Sequence, residues 1–200
     1  MEIHIANYVL TIAGSTNSNS NDGYGTSASF NFPEGLVFDP IQNQLIICDT
    51  DSSLIRSLDL SSKFQTRILK NLSLLLLIYW KYIAFYVKTI AGVLSVIGKT
   101  DGAASTATFS YPTDVAINPL TQDIYIADNG NGLIRSLNRT NSTVSTVVNS
   151  YLPNYLAFYS DGTLVITGYA VNILYPNGKI EIYFERKNAK RKPESTASQK

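Results

Sequence analysis

Apolar and polar residues alternate in short runs along most of this chain, at the period of two that puts every second side chain of a strand on one face. Over Asp114–Asn118, Val115 and Ile117 share a face, and over Asp123–Asp128, Ile124 and Ile126 oppose Tyr125 and Ala127. Leu133–Leu137 and Thr143–Val148 continue the series, the latter rich in β-branched residues suited to a pleated surface. The same order occurs earlier as Gly35–Asp39, Gln44–Asp49, Leu54–Asp59 and Val87–Ala91, and later as Tyr155–Tyr159, Thr163–Thr167, Val171–Tyr175 and Lys179–Phe184. Asn129-Gly130-Asn131-Gly132, Asp161-Gly162 and Asn177-Gly178 predict tight turns. The expected class is all-β.

The strands recur as a unit. Much of Phe30–Leu60 reappears 79 positions later. Phe30, Pro33, Pro40, Ile47, Asp49, Leu54, Ile55, Arg56, Ser57 and Leu58 return as Phe109, Pro112, Pro119, Ile126, Asp128, Leu133, Ile134, Arg135, Ser136 and Leu137. Thr11-Ile12-Ala13-Gly14 returns as Thr89-Ile90-Ala91-Gly92, and Asp22-Gly23 as Asp101-Gly102. A degenerate third copy begins at Pro153 and follows Pro112 at little more than half that interval. The natural period is therefore about 40, that of a four-stranded propeller blade. A partial β-propeller of about three blades is predicted, over 30–64 plus 87–92, 109–148 and 153–184.

The first interval is too long by an insertion. Removing Gln65–Tyr86 makes Leu58 to Ile90 ten steps, as Leu137 to Val147 is. The inserted Leu72–Tyr86 is apolar, with a helix as one expected form, but it is short and contains Lys81. A bilayer span needs about 20 apolar residues, and an intramembrane Lys is costly, so a membrane partner is expected only if 72–86 inserts. Translated non-coding sequence is the alternative origin.

In order, the second copy reads Ala91-Gly92, Asp101-Gly102, Ala107-Thr-Phe109-Ser-Tyr-Pro112, Ile126-Ala127-Asp128, Asn129-Gly-Asn131 and Ile134-Arg135. This resembles the NHL repeat, a blade of the six-bladed propeller superfamily. The likeness extends over two good copies and a poor one. It departs from the family where Gly132-Leu133 and Ser53-Leu54 replace His-Arg before Ile. The resemblance implies Phe30, Pro33, Asp49, Ile55 and Arg56, with Phe109, Pro112, Asp128, Ile134 and Arg135, as structural repeat residues. It also implies a protein-binding scaffold as the leading function. Three blades do not close a ring, since propellers hold four to eight. The expectation is a fragment of a larger protein, or a homodimer completing a six-bladed ring with Tyr8–Ala13 pairing on the partner's third blade.

Composition then narrows the chemistry. The single Cys48 excludes an internal disulfide and reads as a small core residue at a strand end. Residues 1–184 carry 10 basic and 13 acidic side chains, whereas 185–200 carry six and two, a basic tail expected to be disordered. The blades are acidic overall, so nucleic acid, the partner of some NHL propellers, is not expected. No secretory signal is read at Met1–Gly14, leaving a cytoplasmic default.

No cofactor, metal ligand or catalytic residue is expected. Five residues separate Gly92 from Gly98-Lys99-Thr100 where a phosphate loop needs four. Asp49-Thr50-Asp51 lacks the Glu of a calcium loop and reads as an Asp capping its own turn. The lyases and lactonases among propeller relatives are the competing enzymatic reading. The former need several His where this chain has His4 alone, and the latter need carboxylates on the axis, where Glu34 is the candidate. The long polar loops Ser15–Ser29 and Val93–Thr108 are expected to crown one face and offer hydrogen bonds.

Overall fold

In the computed structural model, residues 11–64 and 83–183 are described, and they form three antiparallel sheets. The first contains β1 (Gly23–Tyr24), β2 (Pro33–Asp39), β3 (Gln44–Asp49), β4 (Leu54–Phe64) and β5 (Ile83–Ala91), ordered β1-β5-β4-β3-β2. The second contains β6 (Gly102–Ala103), β7 (Pro112–Ile117), β8 (Ile124–Asp128), β9 (Leu133–Asn138) and β10 (Thr143–Asn149), ordered β6-β10-β9-β8-β7. The third is the four-stranded meander β11 (Tyr155–Phe158), β12 (Leu164–Thr167), β13 (Val171–Leu174) and β14 (Ile180–Tyr183). Short 3₁₀ turns are the only helical elements among the described residues.

Pairing reproduces the repeat register. Leu58 faces Val87 and Leu137 faces Val144, so the chain between partners is longer in the first sheet by the length of Gln65–Tyr86. Strands β4 and β5 run further than the alternation predicts, with Lys63 opposite Ala84 and Phe64 opposite Ile83. Ile83–Tyr86, placed in the insertion by the sequence reading, are therefore strand, because the long hairpin continues its ladder beyond the blade. Residues 65–82, including Trp80 and Lys81, lie outside the described residues, as do His4 and the tail. Of the predicted strand Tyr8–Ala13, Tyr8–Leu10 lie outside them and Thr11–Ala13 are not strand. Two elements were not anticipated: β1 pairs with β5 and β6 with β10, each adding a two-residue fifth strand.

The sheets stack face to face because each strand buries alternate residues on opposite sides. The forward face of the first sheet (Val37, Ile46, Cys48, Ile55) packs on the rear face of the second (Val115, Ile117, Ile124, Ile126, Leu137). The forward face of the second (Ala116, Tyr125, Ala127, Ile134) packs in turn on the rear face of the third (Leu156, Phe158, Leu164, Ile166). Phe109 and Ala107, from the segment before β7, fill the outer part of the first interface, and Phe30 and Ala28 occupy the equivalent place behind the first sheet. Tyr125 and Phe158 meet edge to face across the second interface, their centroids 5.0 Å apart.

One ion pair clamps the lower edge of the first interface. Arg139, after β9, reaches the buried Asp39 at the end of β2, 2.5 Å away. Asp39 also accepts from the backbone N–H groups of Ile41 and Gln42 and from the Gln44 amide. Burial alone would raise its pKa, but the hydrogen bonds from Gln44, Gln42 and Arg139 outweigh it and hold the carboxyl below its usual range. A depressed folded-state pKa contributes stability above the unfolded value that is lost as pH falls through the folded one. Asp39→Asn should cost about 1–3 kcal/mol at pH 7 in urea unfolding. It should also flatten the loss of stability below about pH 4; an unchanged acid limb would remove Asp39 from this role.

Candidate binding face

The repeated Asp and Arg side chains lie inside the blades. Arg56, on β4, is fully buried and bonds Asp49 of β3 at 2.6 Å and Asp22 at 2.8 Å. Arg135, on β9, does the same with Asp128 of β8 at 2.9 Å and Asp101 at 2.6 Å. Other hydrogens of the terminal guanidinium nitrogens reach main-chain carbonyls, Ser29 and Asn21 in one copy, Thr108 and Thr100 in the other. Each guanidinium also sits over an aromatic ring, Phe30 at 5.4 Å and Phe109 at 5.3 Å. Asp22 and Asp101 accept in addition from the N–H and hydroxyl of Thr89 and Thr146, so each cluster ties the outer strand to the loop before the inner one. Pro33 and Pro112 open the inner strands, and Ile55 and Ile134 are core residues beside the two arginines.

The role expected for Asp49 and Asp128 is corrected. Neither caps its own 3₁₀ turn, Thr50–Ser52 or Asn129–Asn131. Their Oδ1 atoms instead accept from the N–H groups of Asn31 (2.6 Å) and Ser110 (2.7 Å), 18 residues earlier in the chain. Their Oδ2 atoms accept from Arg56 and Arg135, and Asp128 Oδ2 accepts in addition from the Asn131 side-chain amide. In these turns only the last residue is left-handed, Ser53 at φ +56° and Gly132 at φ +63°. Gly130 is needed for space, since a Cβ there would lie 2.4 Å from Ser110 Oγ. Burial pushes the Asp128 carboxyl up in pKa against the pull of Asn131, Ser110 and Arg135. Burial acts the same way on Asp101, but Thr146 and Arg135 outweigh it and hold that carboxyl below its usual range.

Register places Gly168 and Asn172 of the third sheet where the others have Asp and Arg, since Thr167 pairs with Val171 as Ala127 pairs with Ile134. Both charges are lost together, as expected when one alone would be buried without a partner.

Above these clusters the structure gathers side chains that the sequence reading did not single out. The residue before each repeated proline is left-handed: Phe32 (φ +50°), Tyr111 (φ +48°) and Leu152 (φ +46°). Such a conformation is disfavoured for a bulky residue and persists only where its surroundings impose it. Each sheet imposes it on the next. Thr50 donates to the Pro112 carbonyl at 2.8 Å and Asn129 to the Pro153 carbonyl at 3.0 Å, while within the second blade the Gly130 N–H donates to Ser110 O at 2.8 Å. The side chains project outward, with Phe32 72% and Tyr111 45% exposed. At the third sheet Tyr151, the neighbour of Leu152, is exposed and meets Tyr169 edge-on at 5.4 Å.

The linking loop adds exposed Leu94, Val96 and Ile97, fixed by the Ser95 N–H on Ser52 O and by Asn131 on the Gly98 carbonyl. This departs from the expectation that these loops offer hydrogen bonds rather than an apolar surface. Much of their polar content is spent on the ion clusters, and the exposed remainder is partly apolar. The signal available in the sequence was the large residue before each repeated proline.

Two carboxylates stand where the inner strands start. Glu34 is exposed, while burial raises the pKa of Asp114 against hydrogen bonds from the Leu156 and Val115 N–H groups. Strands β2 and β7 approach so closely here that a Cβ on Gly35 would fall 2.4 Å from Asp114 Oδ1. Cys48 is buried nearby; burial first, then Asp114, Glu34, Asp128 and Asp49, push its thiol well above the ordinary pKa, so it stays protonated core. No trio of His, Cys, Asp or Glu is placed to hold a metal among the described residues. A depression of about 530 Å³ lies elsewhere, at the outer rim between Thr89–Gly92 and Ala103–Ser105, lined by small side chains without charge.

Comparison with known proteins places the fold. No family model matches the sequence, and no curated protein does. Among solved structures, a protein of unknown function from Bacteroides thetaiotaomicron aligns at 14% identity and a TM-score of 0.50, over 66% of this chain and 31% of that one. A catalytically inactive virginiamycin B lyase from Staphylococcus aureus with quinupristin aligns at 12% identity and 0.50, over 86% and 44%. A nidogen/laminin complex aligns at 13% identity and 0.49, over 77% and 48%. This chain has a β-propeller fold. It spans less than half the length of these structures, and its sheets are three consecutive blades.

The buried clusters give a direct prediction. Arg135→Met should cost about 3–5 kcal/mol, since it strands Asp128 in the core. Adding Asp128→Gly to Arg135→Asn, the pattern of the third blade, should cost less than the sum of the single changes, with a coupling of about 0.5–3 kcal/mol. Urea unfolding of the four-member cycle measures this, and strict additivity would show that the charges do not act together.

Proposed function

We propose that the protein is a non-catalytic scaffold of NHL type that binds a protein or small ligand at the mouth of its blades. The observation that carries this reading is the pair of exposed aromatic side chains, Phe32 and Tyr111, held on left-handed backbone at the start of the inner strands, with exposed Tyr151 beside the left-handed Leu152 of the third blade. Aromatic residues on rigid supports lose little entropy on contact and supply most of the binding energy of typical interfaces. The exposed Glu34 beside them favours a cationic group over an anionic one, which supports a basic, apolar peptide segment ahead of RNA. The Asp–Arg clusters, being spent on internal bonds, leave the mouth without their charges.

Selection of random peptides displayed on phage tests this. Peptides rich in apolar and Lys or Arg residues should enrich on the folded protein, and Tyr111→Ala should weaken them about tenfold, or ~1.4 kcal/mol. Enrichment insensitive to Tyr111→Ala, or none, would count against the mouth as a binding face. Incubation with quinupristin, the compound in the lyase neighbour's structure, should leave that compound intact by chromatography; its turnover would replace the scaffold with an enzyme.

A further inference from the structure

Two apolar sheet faces are left without a covering sheet among the described residues, at opposite ends of the stack. The rear face of the first blade presents Leu36, Phe38, Leu45 and Ile47, with Leu36 59% and Phe38 49% exposed. At the same register in the second blade, Val115, Ile117, Ile124 and Ile126 are covered by the first blade, and Val115 is 3% exposed. The forward face of the third blade presents Ala157, Val165, Thr167 and Val171. Those positions match Val37, Ile46, Cys48 and Ile55 in the first blade and Ala116, Tyr125, Ala127 and Ile134 in the second. Both of those sets are the partners that cover a rear face. None of the eight open positions carries a charge, so neither face is adapted to water in the way an outer surface is.

One end of the molecule thus offers the kind of face that the other end lacks, and the two internal interfaces show how they fit. We propose that two copies of this chain assemble head to tail, the third blade of each on the first blade of the other, closing a six-bladed ring. The number follows from geometry. A head-to-tail contact either closes or runs on into a filament. Identical copies add blades in threes, and propellers hold four to eight, so six is the only multiple that closes.

The contact is between faces rather than by strand exchange. Strand β14 already supplies the fourth strand of the third blade, with Leu174 opposite Ile180, so that blade does not need Thr11–Ala13 to complete it. It also lacks one internal feature. Thr50 and Asn129 each donate to the proline carbonyl of the following blade, whereas Gly168-Tyr169 stands at the equivalent turn of the third blade. The junction between copies is therefore the weakest of the ring, the one that opens on dilution. This assembly does not depend on what the mouth binds.

Sedimentation velocity on the 200-residue chain at micromolar concentration reads the outcome, with far-UV circular dichroism confirming β structure in every sample. The wild type should sediment at twice the 22.0 kDa chain mass. Leu36→Arg and Ala157→Asp should each give folded monomer. An equimolar mixture of the two should recover dimer, because one junction is then unaltered and the other sets Arg against Asp. Leu94→Asp, exposed on the linking loop, should remain dimeric. A folded wild-type monomer would overturn the proposal, as would an open polymer or a dimer that survives Ala157→Asp. Any of these would leave the Tyr111-dependent peptide binding to be judged on its own result.

Discussion

A guanidinium with no access to water, fixed between two carboxylates and over a phenyl ring, is the constraint around which the first two blades are built. Removing such a charge from water costs several kcal/mol, and the cost is met only if nearly every hydrogen finds an acceptor. Arg135 satisfies this completely, through Asp128, Asp101, Thr108 and Thr100; in the first blade Nε of Arg56 alone goes without. These acceptors come from β3 or β8 and from the long segment before the inner strand. The cluster therefore fixes where that segment runs, and with it where Phe30 and Phe109 enter the core and where Pro33 and Pro112 begin their strands. The left-handed residues before those prolines, and the aromatic side chains they project, lie downstream of that arrangement.

Between blades the main attraction changes from ionic to apolar. Each interface brings one blade's forward face against the next blade's rear face at a constant register, which gives the stack a direction. The third blade shows that the two systems separate. It has Gly168 and Asn172 in place of the ion pair, yet it keeps Leu156, Phe158, Leu164 and Ile166 packed against the second blade. Gly168 also does something no Asp could, since a Cβ there would lie 2.1 Å from the Leu152 carbonyl oxygen. The loss of charge and the close passage of the chain at Leu152 belong to one rearrangement.

Period-two alternation and the repeat register place twelve strands and their order, because both are set by local side-chain direction and by repetition. What escaped them has a common cause. Strands β1 and β6 are two residues long and have no alternation to detect. Asp22 and Asp101 are conspicuous in the repeat, but their partners lie 34 residues away, and no local rule links a loop carboxylate to an arginine at that distance. The capping role assigned to Asp49 and Asp128 was the local expectation for an Asp before a turn, and it failed because a buried arginine competes for the same oxygen atoms more strongly than a turn N–H does. The mouth aromatics were missed for a similar reason, as a residue before proline is expected to be extended, and here it is left-handed in all three blades.

That last feature bears on function more than the charges do. Left-handed Phe32, Tyr111 and Leu152 each cost on the order of 1–3 kcal/mol, and packing does not repay it, since Phe32 and Tyr111 point into solvent. Two of the three conformations are imposed by hydrogen bonds from the preceding blade, through Thr50 and Asn129. Strain spent on presenting a side chain to water serves no purpose within the fold itself. It would serve the proposed binding face, which needs large apolar groups held still for contact with a partner, and the left-handed residue recurs at the same place in each of the three blades.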